Sequence, residues 1–282
     1  MIEPMRNMRR ILLALAAAFS AGAQLREAVT LHAGFEGGPN ASFAIGDPRL
    51  YSAESYKVQG EARPGLGSPE LTIARGAGKF GDALRFTKKN TRAVFYRAGK
   101  NVEFDPRNWS GTVSFWLKLD PDKDLEPGFC DPIQITDDAY NDSAIWVDFT
   151  KDDKPRHFRL GVFGDLKAWN PENLPPDKNP NFMNRLVTVR KTPFSAGEWT
   201  HVVATWSGLG SGQGSAQLYL NGQSQGEAKG ISEPFTWDFA RAAIRLGLNY
   251  TGLFDELVAF RRPLSGSEVR SLYSGGVPAL HK

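Results

Sequence analysis

Cysteine is almost missing from this sequence, Cys130 being the only one among 282 residues. A single thiol excludes an internal disulfide, and the chain is long enough to build a core that needs no such staple. A nucleophilic thiol would need a histidine beside it in an exposed setting, so Cys130 reads as a small core or loop residue. Blocks of like charge are missing too. The formal charge is +3, with acidic and basic residues interleaved, which excludes nucleic acid and anionic membrane surfaces as expected partners. Beyond the first two dozen residues no long apolar run occurs, so the mature chain is expected to hold no membrane span. No Ser-His-Asp series, zinc-ligand spacing or glycine-rich phosphate loop stands out.

The N-terminus is where apolar residues do cluster. Arg6, Arg9 and Arg10 flank the uncharged run Ile11–Phe19, and Ala21-Gly22-Ala23 makes a small-residue cleavage site. The run is too short for a bilayer, which takes about 20 residues. Residues 1–23 are therefore expected to be a signal peptide. Residues 24–282 are expected to form a single domain that is secreted, periplasmic or held at the cell surface.

The rest of the chain is punctuated by glycine and proline between short β-type segments. The clearest unit is Gly197–Gly222, GEWTHVVATWSGLGSGQGSAQLYLNG. Thr200–Trp206 is β-branched or aromatic, Gln217–Leu220 alternates, and Asn221-Gly222 supplies the positive-φ positions of a tight turn. Thr112–Leu119 puts Val113, Phe115, Leu117 and Leu119 on one face and Trp116 on the other. Further strands are expected at Ala28–Glu36, Val94–Tyr96, Val102–Phe104, Pro132–Thr136, Ala144–Thr150, His157–Phe163, Leu186–Val189, Ala243–Asn249 and Phe254–Phe260. Asp165–Asn184, with its prolines, asparagines and aspartates, reads as a long surface loop. Gly266–Ser274 reads as a helix whose Ser265 and Glu268 form a capping box.

Three of these stretches carry a family resemblance. The W-x-H-V-V-x-T-W strand with its L-Y-L-N-G return, the S-F-W-x-K strand and the closing block from Gly252 to Val269 strongly resemble the laminin G-like domains of the concanavalin A-like lectin/glucanase superfamily. The likeness runs from about Ala28 to Tyr273. It implies an all-β, two-sheet antiparallel jelly-roll sandwich with a short C-terminal helix. It also implies a calcium site, because many members hold one structural Ca²⁺ where the first strand meets the strand carrying the D-E pair. The matching positions are Glu36, Asn40 and Asp255, with Asp47 as a weaker addition. The family more often has aspartate where this chain has Glu36 and Asn40. Ordinary strand-end carboxylates paired with arginine are the alternative.

Lectin-type members hold sugars on the open face of the concave sheet, and alternation assigns residues to that face. In Asp142–Phe149 the apolar set Ile145, Val147 and Phe149 leaves Trp146 and Asp148 opposite; in His157–Phe163 the set Phe158, Leu160 and Val162 leaves His157 and Arg159. A hairpin through KDDKP would bring Trp146 and Asp148 beside His157 and Arg159, with Trp169 and Asn170 as a wall. An indole offers a flat face to a pyranose, and carboxylate and guanidinium groups hydrogen-bond vicinal hydroxyls. If that face binds sugar, Trp146→Ala should abolish binding and leave stability largely intact. A structural Asp148–Arg159 cross-strand pair is the alternative.

Catalysis has less support. Glycosidases of this superfamily carry E-x-D-x-x-E or E-x-D-x-E on one strand, and no such motif occurs here. Asp148 with His157 is the remaining acid/base pair. The expected function is a non-catalytic binding module for a glycan or polysaccharide. A glycan-active hydrolase using concave-face carboxylates and a protein-binding adhesion or assembly module are the alternatives.

Overall fold

The computed structural model describes residues 23–275; the expected signal peptide up to Gly22 lies outside them. Two antiparallel sheets of nine and eight strands face each other. The nine-stranded sheet runs, in spatial order, Gln223–Ile231, Gly214–Leu220, Thr200–Leu209, Trp109–Lys118, Gly252–Phe260, Val29–Ala33 and Phe43–Ala44. Ala83–Phe86 also pairs with Gly252–Phe260 and carries Leu71–Ala74 on its other side. The eight-stranded sheet runs Leu186–Val189, Phe158–Phe163, Ala144–Phe149, Cys130–Thr136, Ala243–Leu248, Ala93–Arg97, Tyr51–Ala53 and Arg63–Pro64. Among the described residues no helix is long and apolar enough to cross a membrane.

Alternation decides what lies between the sheets. Val113, Phe115 and Leu117 of one sheet meet Ile145, Val147, Phe149, Phe158, Leu160 and Val162 of the other in the main core, all 2 % exposed or less. Each fully buried side chain of this size contributes roughly 1.5–3 kcal/mol. Cys130 belongs to that core, and burial pushes its thiol well above the ordinary range, so it is not a nucleophile. Within Ala144–Phe149 and Phe158–Phe163 the faces are those inferred from alternation.

Three local expectations are corrected. The Asn221-Gly222 turn forms, with φ of 48° and 77°, but it leads into a further strand, Gln223–Ile231. That strand carries only two buried side chains, Ala228 and Ile231, so it leaves no apolar alternation to read. Val102–Phe104 is not a strand: Gly99–Val102 is a 3-10 helix, closed by Glu103 in the left-handed region. The first strand is Val29–Ala33, shorter than the expected Ala28–Glu36; residues 23–28 before it are helical, and Leu25 and Ala28 pack under the C-terminal helix Gly266–Gly275 against Val269 and Leu272. The capping box of that helix is present: Glu268 N–H donates to Ser265 Oγ at 3.3 Å, and Ser265 N–H donates to Glu268 Oε2 at 2.8 Å.

Candidate functional site

The outer face of the eight-stranded sheet holds a cavity of about 310 Å³. Its floor comes from three neighbouring strands. Ala144–Phe149 supplies Trp146 and Asp148, Phe158–Phe163 supplies Arg159, and Cys130–Thr136 supplies Asp131 and Gln134. Phe129, Tyr140, Leu248 and Asn249 complete the rim, and Pro176 and Phe182 reach in from the long loop before Leu186.

Register explains the grouping. Asp148 stands directly opposite Arg159 in the hairpin, and Trp146 opposite Gly161. The indole lies across Gly161, where any side chain would collide with its ring. Arg159 binds both oxygens of Asp148, through Nε at 2.8 Å and through Nη2. Its guanidinium carbon sits 5.1 Å from the Phe129 ring centre and 5.5 Å from that of Trp146. Trp146 donates its indole N–H to the carbonyl of Tyr140 at 2.6 Å.

Asp131 is the residue alternation misplaces. Ile133 and Ile135 face the core, so strict period two would send Asp131 inward with them. A bulge shifts the pairing: Val147 stands opposite Ile133, but Phe149 stands opposite Cys130. Cys130 therefore takes the core position and Asp131 turns to the open face. There Gln134 Nε2 donates to its Oδ2. Burial, with the Asp148 charge adding, pushes the Asp131 carboxyl up to about 8, against the pull of Gln134 and Arg159. Burial raises Asp148 too, and the Arg159 hydrogen bonds oppose it. Asp131 is thus pushed toward its neutral form and Arg159 is taken up by Asp148, so the floor offers no free cation.

Of the expected sugar-binding set, Trp146, Asp148 and Arg159 come together, and His157, Trp169 and Asn170 do not line the cavity. His157 precedes its strand and turns to Asp153, with Nδ1 3.4 Å from the carboxylate, so the Asp148–His157 acid/base pair does not form. Trp169 is 5 % exposed and packs behind the cavity on Phe163 and Phe182, its N–H given to Asn141 O at 2.9 Å. Asn170 is buried and braces its own loop through Leu174. Trp146 is 2 % exposed and stacks on Phe163, so removing its side chain disturbs packing as well as the cavity.

At the positions expected to hold calcium, the side chains take backbone and side-chain donors. Asp255 Oδ2 accepts the Lys79 and Phe80 N–H groups at 2.7 and 3.2 Å, and Oδ1 accepts Glu256 N–H at 2.8 Å. Burial pushes this carboxyl up to about 8 despite those donors. Glu36 accepts Asp82 N–H, Asn40 accepts Leu50 N–H, and Asp47 is held by Arg49 and Tyr51. Calcium takes six to eight oxygen ligands, backbone carbonyls and waters among them. Among the described residues, no three His, Cys, Asp or Glu side chains gather to hold a metal. The carboxylates instead clasp the loop Gly76–Asp82, whose Gly76 and the nearby Gly37 donate N–H groups to Asp82.

Comparison with solved structures finds the same sandwich elsewhere. Domain 4 of an extracellular arabinanase from Geobacillus stearothermophilus, solved in complex with arabinotriose, is 19% identical over 87% of this chain and 99% of that one, with a TM-score of 0.52. The ligand-binding domain of botulinum neurotoxin serotype D, solved with N-acetylneuraminic acid, is 12% identical over 90% of this chain, with a TM-score of 0.58. This chain spans 52% of that neurotoxin chain. At such identities the likeness carries the fold. No curated protein matches the sequence. A family model of laminin G type, however, covers residues 96–270, which hold the hairpin, the closing block and every strand of the cavity floor. The chain belongs to the concanavalin A-like lectin/glucanases superfamily.

Proposed function

We propose that this protein is a non-catalytic carbohydrate-binding module that takes a neutral sugar in the cavity of the eight-stranded sheet. The observation that carries this reading is the pairing of exposed aromatic walls with buried polar groups. Phe129 and Tyr140 are 43% and 40% exposed at the rim, while Asp131, Gln134 and Asp148 below them are nearly inaccessible. Sugar rings stack on such walls, and their hydroxyls exchange hydrogen bonds with such a floor. The floor favours an uncharged ligand, since an unpaired carboxylate on the sugar would face no free cation there. The arabinanase domain with its arabinotriose supports a saccharide ligand by analogy of fold.

A glycan array with neutral, sialylated and sulfated members tests this. Binding is expected to neutral glycans, to persist in EDTA, and to weaken at least tenfold in Tyr140→Ala with an unchanged melting temperature. Binding confined to anionic glycans, or none at all, would overturn the reading.

Hydrolysis is the second reading, favoured by one observation: a protonated Asp131 and the carboxylate Asp148 share the cavity, as an acid and a base would. Binding is preferred because Arg159 occupies both oxygens of Asp148. Release of reducing sugar from a bound glycan, lost in Asp131→Asn, would reverse that preference. Export through Met1–Ala23 is part of the same proposal, and N-terminal sequencing of the exported protein should begin at Gln24. That cut keeps Leu25, which packs into the fold.

A further inference from the structure

We propose that the Phe182–Arg185 turn carries a second sugar subsite on its far side, where Arg185 and Glu233 receive a vicinal diol of the same glycan. The inference rests on the glycan-binding reading and extends it to a ligand longer than one ring. A polar cavity of about 460 Å³ lies there, lined among others by Asn181, Asn184, Arg185, Lys229, Ser232 and Glu233.

Arg185 is 8% exposed, and its charge is paired with Glu233. Nη1 donates to the Asn181 carbonyl at 2.9 Å and Nη2 donates to Glu233 Oε1. That leaves two buried polar atoms of these lining residues without a partner: the donor Arg185 Nε and the acceptor Glu233 Oε2. Leaving such a group without a partner is costly, and a ligand that supplies one is favoured. One donor and one acceptor match a pair of adjacent hydroxyls, of which one accepts from Nε and the other donates to Oε2. The Arg185–Glu233 pair cancels its own charge and Lys229 is paired with Glu227 at 2.9 Å, so the subsite, like the first cavity, suits a neutral sugar.

The two cavities share a wall. Phe182 lines the first, Arg185 lines the second, and Trp169 packs against both, 6.3 Å from the Phe182 ring and 5.0 Å from the Arg185 guanidinium. Trp169 therefore stiffens the partition without touching ligand.

The test reads the two cavities separately in ¹⁵N-labelled protein, through the Trp146 indole N–H and the Arg185 Nε–H resonances. The probes are arabinotriose, xylotriose, laminaritriose and cellotriose, each with its monosaccharide. A trisaccharide should move both resonances and its monosaccharide only that of Trp146. Arg185→Lys keeps the ion pair and removes Nε; Glu233→Gln keeps the Arg185 contact and removes the second acceptor. Both should raise the trisaccharide Kd about tenfold and leave monosaccharide binding unchanged, the latter showing that the fold and the first cavity are intact. A trisaccharide that moves Trp146 alone, with the variants binding as the wild type, overturns the subsite and leaves the first cavity standing. Movement of Arg185 alone supports the subsite and overturns the first cavity. No movement with any probe overturns both.

Discussion

Trp146 and Trp116 both face away from the shared core, one on each sheet, and each sits beside a titratable side chain. What covers them differs. Trp116 stacks on His201 at 4.6 Å and on Tyr273 of the C-terminal helix at 5.8 Å, and the Lys79 ammonium stands 4.6 Å over its ring. His201 Nε2 meets Ser114 Oγ at 2.8 Å, and burial, with Lys79 adding, drives its pKa down to about 3. A helix and a loop close that face, and its polar groups hold the cover in place. Over Trp146 the long loop stops short and a cavity remains. Serine, histidine and tryptophan together thus say nothing about function until the cover is known.

The comparison breaks most sharply at Trp146 itself. Trp146→Ala removes a side chain buried against Phe163, and the loss should be about 3–5 kcal/mol, read by urea unfolding. A loss below about 1 kcal/mol would mean the indole is ligand surface and little else. Arg159→Met comes next. It strands Asp148 without its cation, and about 3 kcal/mol should be lost at pH 7. That loss should shrink at pH 5, where Asp148 protonates more readily. A loss equal at both pH values would show that the carboxylates do not feel Arg159.

Titration separates the two faces by sign. Asp131 is protonated up to about pH 8 in the fold and only to about 4 when unfolded, so the folded state binds the extra proton between those values. Its contribution is fully present below pH 4 and is lost as pH rises toward 8, at up to roughly 1.4 kcal/mol per unit. Asp131→Asn should flatten that decline. His201 runs the other way: depressed to about 3 against an ordinary 6.5, it contributes stability above pH 6.5 that is lost as pH falls toward 3. His201→Phe leaves Ser114 Oγ without a partner and should cost about 1–2 kcal/mol at pH 7, a difference that narrows at pH 4. A gap that is constant with pH would place a charge on His201 in the folded state.

Much of this was legible in the sequence, and the failures have common causes. The hairpin, the closing block and the inward faces of Ala144–Phe149 and Phe158–Phe163 follow from period-two alternation, which burial enforces residue by residue. The same parity picked out Trp146, Asp148 and Arg159. It failed at Asp131 because one bulge inverts parity, and at Gln223–Ile231 because an edge strand with two buried residues leaves no pattern. It failed for Phe182, Pro176 and the Arg185–Glu233 pair because a loop's position over a sheet is a tertiary fact. His157 was lost for a smaller reason: strand pairing ends at Phe158, and the residue beyond follows the turn.

The smallest expected effect concerns the loop over the nine-stranded sheet. In a calcium-held fold the ion would gather the loop through carboxylates, and saturating Ca²⁺ at 100 times its Kd would add about 2.7 kcal/mol. Here the carboxylates of Glu36, Asp82 and Asp255 take backbone N–H groups of Gly37, Gly76, Lys79, Phe80 and Asp82 directly. With these bonds in place, melting temperatures in millimolar Ca²⁺ and in EDTA are expected to agree within about 1 °C. A saturable rise of several degrees would mean that these side chains let go of the backbone to bind metal. Asp255→Asn then decides what the carboxylate does: in the clasp it weakens the fold equally in both buffers, whereas a ligand would lose only the calcium increment.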